Sequence, residues 1–253
     1  MIRRLNREEI LRYLGYKDSG VTERMEQLLN RCEAETLKIL QSKYIYRRFP
    51  VEKDADGIRI PGTALVLFGN DIQEHLKNCN EIFLLGATAG IELDKRIRRY
   101  MVTEPDVGVV MDSCGIQAVE QIADLAEKEM EQEVSAEGCH LTWRFSPGYG
   151  DLPLETQREL VRVLDTHRKI GVSLTESCLM VPSKSVTAIL GISDTKRDVR
   201  KNKCNFCNNR ERCAFRKRGT RCEILKIRSL CWTVVWERCF RRPEFLWERF
   251  RRH

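Results

Sequence analysis

Arg144, Gly148 and Tyr149 stand in the one stretch of this chain where residue type and spacing together suit ligand chemistry. The stretch is Trp143-Arg144-Phe145-Ser146-Pro147-Gly148-Tyr149-Gly150. A planar guanidinium takes a carboxylate through two parallel hydrogen bonds. Glycine lets a ligand approach the main chain, and tyrosine offers a ring face and a hydroxyl. The alternative is a surface arginine beside an ordinary turn, since connections between elements carry polar residues as a rule. Two further groups invite the same question. Glu120, Asp124 and Glu127 recur at three- and four-residue spacing, which on a helix sets acids side by side; they are either a solvated face or part of a ligand site. Glu176, between Thr175 and Ser177, either faces water by strand alternation or enters such a site.

Positioning these residues requires a strand, a bend and a helix. Residues 141–145 read as a short strand, Pro147-Gly148 punctuates it, and residues 154–164 have helical spacing. Upstream, residues 113–134 form the longest predicted helix, with Val119, Ile122, Ala123, Ala126 and Met130 as its buried stripe and a short strand at 107–111 before it. Asn6 with Glu9 has the form of a capping box for a first helix through Leu14, and Thr22 caps a second whose face holds Met25, Leu28, Leu29 and Cys32. Residues 44–49 and 58–60 alternate around a turn at 54–57 and read as a hairpin. Strands follow at 64–68 and 81–85, with a short helix at 72–79 between them. The turn Gly86-Ala87-Thr88-Ala89-Gly90 precedes a helix at 91–101. Open amides at a helix start attract anions, but this turn has neither a dinucleotide fingerprint nor a phosphate loop, so tight packing is the competing use of its glycines. Residues 172–180 and 186–192 read as strands of a closing hairpin. The fold class is α+β, a mixed, largely antiparallel sheet with long helices, plus a basic cysteine-rich tail.

Charge divides the chain. The net +7 of the 253 residues combines +13 over residues 196–253 with −6 over the rest. That shift, just past Asp194, predicts a body at 1–194 and an appendage at 195–253. In the appendage Cys204, Cys207, Cys213 and Cys222 could hold zinc or an iron–sulfur cluster, or be free thiols. Beyond them, aromatic residues interleave with arginines, which suits an acidic protein surface, nucleic acid or lipid; a charged terminus without a partner is the alternative. The longest apolar runs, 64–68 and 82–85, are strand-sized, so no membrane span is expected. The charged amino terminus has no signal-peptide core, and eleven cysteines without one argue for reduced thiols or metal ligands in a cytoplasmic setting. The four histidines, 75, 140, 167 and 253, make no evident nucleophile–base pair.

The spacing Arg144-x-x-x-Gly148-Tyr149 resembles the signature of the S-adenosylmethionine-binding activation domain of cobalamin-dependent methionine synthase. The segment 171–186, Gly-Val-Ser-Leu-Thr-Glu-Ser-Cys-Leu-Met-Val-Pro-Ser-Lys-Ser-Val, is similar to the family's block after the signature helix. The resemblance covers roughly residues 1–192, most clearly from Ala118, and implies a free-standing activation subunit. It further implies that Arg144 holds the methionine carboxylate and that an acid such as Asp124 meets the ammonium, with Ser146, Gly148, Tyr149 and Glu176 also at the S-adenosylmethionine site. By the same resemblance the cobalamin is carried by a partner, methionine synthase or another corrinoid protein, and flavodoxin or ferredoxin supplies an electron. Such chemistry asks for positioning and needs no general acid or base. The chain departs from the family in three places. Gly150-Asp-Leu-Pro-Leu-Glu155 replaces a Pro-Ala-Cys-Pro with its acidic and His neighbours, the paired tyrosines after the closing hairpin are missing, and Gly15 stands near the place of an amino-terminal aspartate. A regulatory relative that binds a corrinoid protein without this ligand is therefore a second expectation. A nucleic-acid-binding protein acting through its tail is a third.

Overall fold

Two strands buried on both faces form the centre of the computed structural model, which describes residues 2–16 and 20–195. In chain order the elements are α1 (Arg7–Tyr13), α2 (Glu23–Ile39), β1 (Lys43–Pro50), β2 (Glu52–Lys53), β3 (Ile58–Arg59), β4 (Val66–Leu67), α3 (Asn70–His75), β5 (Glu81–Thr88), α4 (Ile91–Thr103), α5 (Pro105–Ser135), β6 (His140–Leu141), α6 (Thr156–Leu164), α7 (Thr166–Ile170), β7 (Ser173–Leu174), β8 (Met180–Val181) and β9 (Ser185–Ser193). The main sheet has the order β1-β5-β9-β6, and every pair in it is antiparallel. Side chains alternate across β5 and β9. Phe83, Leu85, Ala87, Val186, Ala188 and Leu190 enter one core, while Ile82, Leu84 and Ile189 enter a second. Helices thus cover one face, and helices with a small sheet cover the other. This is the expected α+β class with an antiparallel sheet.

The first core is built by α1, α2, α4 and α5. Asn6 accepts a hydrogen bond from the Glu9 amide and Thr22 from the Met25 amide, so both caps form, each contributing about 1 kcal/mol; the Glu9 carboxylate pairs with Arg12, so the expected capping box is half made. The strand expected at 107–111 is instead the first turns of α5. Pro105 opens this helix, where its missing N–H costs nothing. Val107, Val110, Met111, Cys114 and Ala118 then fall on one helical face, and that face decides an apolar run too short to decide itself. Gly108 allows α4 to pass closely, since a Cβ there would lie 2.8 Å from the Met101 nitrogen.

The second core holds α3, α6 and the small sheet β2-β3-β4. The expected pairing of 44–49 with 58–60 does not occur. All eight residues of β1 pair with β5, whereas β3 pairs with β2 and β4. An eight-residue strand satisfies more of its backbone against a partner of equal length, and so covers the flank of a buried strand. The turn after β5 is a packing device. Gly90 has φ +91, a Cβ there would lie 2.5 Å from the Gln41 Cβ, and its N–H donates to the Thr88 hydroxyl at 3.1 Å. The long strand expected at 172–180 reduces to β7 and β8, joined by a tight turn in which Cys178 takes φ +62. Residues 183–184 are then pinned to Asp94, which accepts from the Ser183 amide (2.5 Å), the Ser183 hydroxyl (3.0 Å) and the Lys184 amide (3.3 Å).

Candidate functional site

The predicted strand at 141–145 is interrupted, and the interruption aims Arg144. Leu141 pairs with Ile192, but Phe145 pairs with Ile189. Four residue steps on one strand thus face three on the other, which is a bulge of one residue. Thr142 sits at the bulge, where its hydroxyl accepts from the Gly191 amide at 2.8 Å. Simple alternation from Leu141, which packs on the first core, would return Phe145 to that side. With the extra residue Phe145 enters the second core, and Arg144 turns toward α5.

On α5 it meets the three acids predicted to lie side by side. Arg144 Nη2 donates to Asp124 Oδ1 (2.7 Å) and Glu120 Oε2 (3.1 Å), and Nε lies 3.3 Å from Glu127 Oε2. The arginine side chain is 2% exposed and that of Glu120 6%, whereas Asp124 is 55% exposed. The guanidinium was expected beside an open bend; it is buried in an internal ion cluster, because the bulge reverses its side. Its Nη1 is buried and has no hydrogen-bond partner among the described residues. Three carboxylates thus surround the one guanidinium. Tyr13 of α1 shares this field: burial first, and then the charge of Glu120, hold its phenol well above the ordinary range. Sequence reasoning passed over Tyr13, since nothing local links it to residues more than a hundred positions away.

The other expected site residues are dispersed by the same geometry. The Tyr149 ring packs edge-on against Phe145, with centroids 5.1 Å apart, so ring and guanidinium lie on opposite sides of the strand. Ser146 donates to the Thr187 carbonyl at 2.7 Å. Gly148 is exposed with φ +82, a conformation glycine adopts without strain, and its N–H donates to the Leu152 carbonyl at 2.9 Å. Glu176 faces water, one of its two expectations, though from a turn and not by strand alternation. It lies exposed in the β7–β8 turn, its carbonyl accepting from Arg158 of α6. Cys204, Cys207, Cys213 and Cys222 lie outside the described residues. Among the described residues no group of three His, Cys, Asp or Glu side chains could hold a metal ion. Cys32 is a core residue whose thiol burial pushes up to about 12.

A groove of about 410 Å³ on the second-core side is lined by Arg47, Phe49, Thr63, Glu159, Arg162 and Val163. Its cations are already engaged: Arg162 with Glu159 at 2.8 Å, and Arg47 with the Val163 carbonyl at 3.0 Å. No helix among the described residues is long and apolar enough to cross a membrane.

Comparison with known proteins adds three findings. The family model described as vitamin B12 dependent methionine synthase, activation domain, matches residues 117–205. A solved structure titled "Crystal Structure of the MetH Reactivation Domain bound to AdoHcy" matches with a TM-score of 0.54 and 18% identity, over 83% of this chain and 76% of that one. No curated protein matches. From Gln117 through the bulge, the signature bend and β9, this chain is therefore similar to the vitamin B12 dependent methionine synthase activation domain, on a body that shares the fold of the MetH reactivation domain.

Proposed function

We propose that this chain binds S-adenosylmethionine and serves the reductive remethylation of cobalamin carried by a methionine synthase or a related corrinoid methyltransferase. The family match across the signature supports the reading, as does the fold likeness to a domain whose title names the demethylated form of that ligand, AdoHcy. The observation that carries it is Arg144. One edge of its guanidinium is fixed by carboxylates while Nη1, buried, lacks an acceptor. An unmade buried hydrogen bond costs about 1–3 kcal/mol, and a ligand carboxylate reaching Nη1 would recover it. The half-exposed Asp124 is the acid open to the cationic groups that such a ligand also brings, an ammonium and a sulfonium.

Cobalamin on the partner would supply the nucleophile that takes the sulfonium methyl, after an electron from a flavodoxin or ferredoxin has reduced it. The chain's own part is positional. Arg144 and Asp124 hold the amino-acid end, and the exposed Gly148, beside half-buried Tyr149, lets the remainder lie close to the main chain. Isothermal titration of the full chain with S-adenosylmethionine tests this. Heat is expected from the wild type, with at least a roughly tenfold loss in Arg144→Ala and a smaller one in Asp124→Asn, as expected for one charge-assisted contact. A wild type that gives no heat refutes it. The second reading, a corrinoid-protein-binding relative that takes no S-adenosylmethionine, draws on the burial of Arg144 and predicts that null titration.

The body is proposed to comprise residues 1–194 and to act in the cytoplasm, in the service of a corrinoid methyltransferase. The basic segment from 195 is proposed as an appendage whose four cysteines bind zinc or an iron–sulfur cluster. Metal analysis with ultraviolet and visible absorption separates those two, and metal-free protein rejects both. Salt-dependent binding of a duplex, lost on truncation after Asp194, would instead make the appendage a nucleic-acid module.

A further inference from the structure

α3 starts at Asn70 with Gly69 in the capping position, so it has no side-chain cap of its own. Its acceptor comes from the signature bend, 81 residues away. Asp151 Oδ2 accepts from the Asn70 amide at 2.6 Å, and Oδ1 from the Asp71 amide at 3.0 Å. Glycine permits the approach. Gly69 has φ +127, and a Cβ there would stand 2.5 Å from Asp151 Oδ1. The relation is reciprocal: Gly150 has φ +56, and a Cβ on it would stand 2.3 Å from Asp71 Oδ2. Each aspartate lies against the other element's glycine. The bend also has bonds of its own backbone, Tyr149 N–H to the Ser146 carbonyl at 3.0 Å and Leu152 N–H to the Tyr149 carbonyl at 3.0 Å, and Leu152 is buried in the second core.

We propose that Asp151 is the positioning residue of the signature bend, clamping Gly148 and Tyr149 through α3 in the conformation that the ligand meets. Carboxylate-to-amide bonds at a helix start are among the stronger neutral-donor contacts, because the helix end leaves those amides open and partly positive. The clamp follows from geometry alone; its effect on affinity rests on the S-adenosylmethionine reading.

The test uses the full chain and five variants. Hydrogen exchange is measured at the amides of Asn70, Asp71 and residues 148–152, alongside titration with S-adenosylmethionine. Asp151→Ala, and Gly69→Ala acting from the opposite side, are each expected to speed that exchange roughly tenfold and to weaken the ligand roughly five- to tenfold. Asp151→Asn keeps one acceptor and falls between. The double variant Gly69→Ala/Asp151→Ala loses no more affinity than the stronger single one, since both break one contact. Leu29→Ala, a core truncation on α2, lowers the melting midpoint without weakening the ligand, which separates positioning from general stability. Unchanged exchange in the bend of both clamp variants overturns the proposal, as do affinity losses that multiply in the double. If the wild type binds no S-adenosylmethionine, the functional reading falls, and the exchange result alone decides the clamp.

Discussion

Arg144→Met removes a guanidinium that is 2% exposed, touches three carboxylates and lies at the centre of the proposed site. Methionine keeps most of the aliphatic stem, so the charge is what changes. Removing one partner of a buried ion pair costs about 3–5 kcal/mol, because the opposite charge stays behind. Two features of this site reduce that figure. Asp124 is 55% exposed and water can replace its partner, and the orphaned Nη1, itself a cost in the folded state, disappears with the side chain. A net loss of about 3 kcal/mol is expected. With a urea dependence of about 2 kcal/mol per molar for a domain of this size, the midpoint falls by about 1.5 M. Urea titration followed by circular dichroism measures it. Adding Glu120→Gln separates charge from packing: it destabilises the wild type, yet in the Arg144→Met background it recovers about 1–2 kcal/mol by removing a buried negative charge. A midpoint shift below about 0.3 M would refute the reasoning, as would a Glu120→Gln effect of equal sign in both backgrounds.

Three other perturbations have definite expectations. Gly191→Ala sets a Cβ 2.4 Å from Cys79 Sγ and 2.7 Å from Leu76 Cδ2, an overpacking worth about 1–3 kcal/mol or more in a denaturant titration; Cys79→Ala in the same chain should recover part of it. Asp94→Ala strands the amide and hydroxyl of Ser183 and the amide of Lys184, and should cost about 3 kcal/mol while loosening the chain between β8 and β9, read by hydrogen exchange at 183–185. The Cys32 thiol, raised to about 12 by burial, binds its proton more tightly folded than unfolded. Its contribution is therefore complete below pH 9 and lost as pH rises toward 12, at up to about 1.4 kcal/mol per pH unit. Cys32→Ala lowers stability at pH 8 but flattens the decline above pH 9, and an unchanged slope would remove Cys32 as its source.

Local chemistry alone determined a good part of this molecule. The caps at Asn6 and Thr22, the strand-sized apolar run at 82–85, and the acids of α5 each depend on residues within a turn or two of one another. So does the bend at Pro147-Gly148. These could be read before any contact was known. Tertiary structure decided what those parts face. Residues 107–111 became helix because α4 and the sheet offered a surface matching one helical face, and β1 chose β5 over its sequence neighbour because length and burial matched. Glu176 went to a turn once β7 and β8 closed over two residues each. Most consequentially, one extra residue between the pairs Leu141–Ile192 and Phe145–Ile189 reversed the side on which Arg144 emerges. That slip is a property of two segments some fifty residues apart, so no periodicity within either one encodes it. It converts an arginine expected beside an open bend into the buried centre of an acidic cluster.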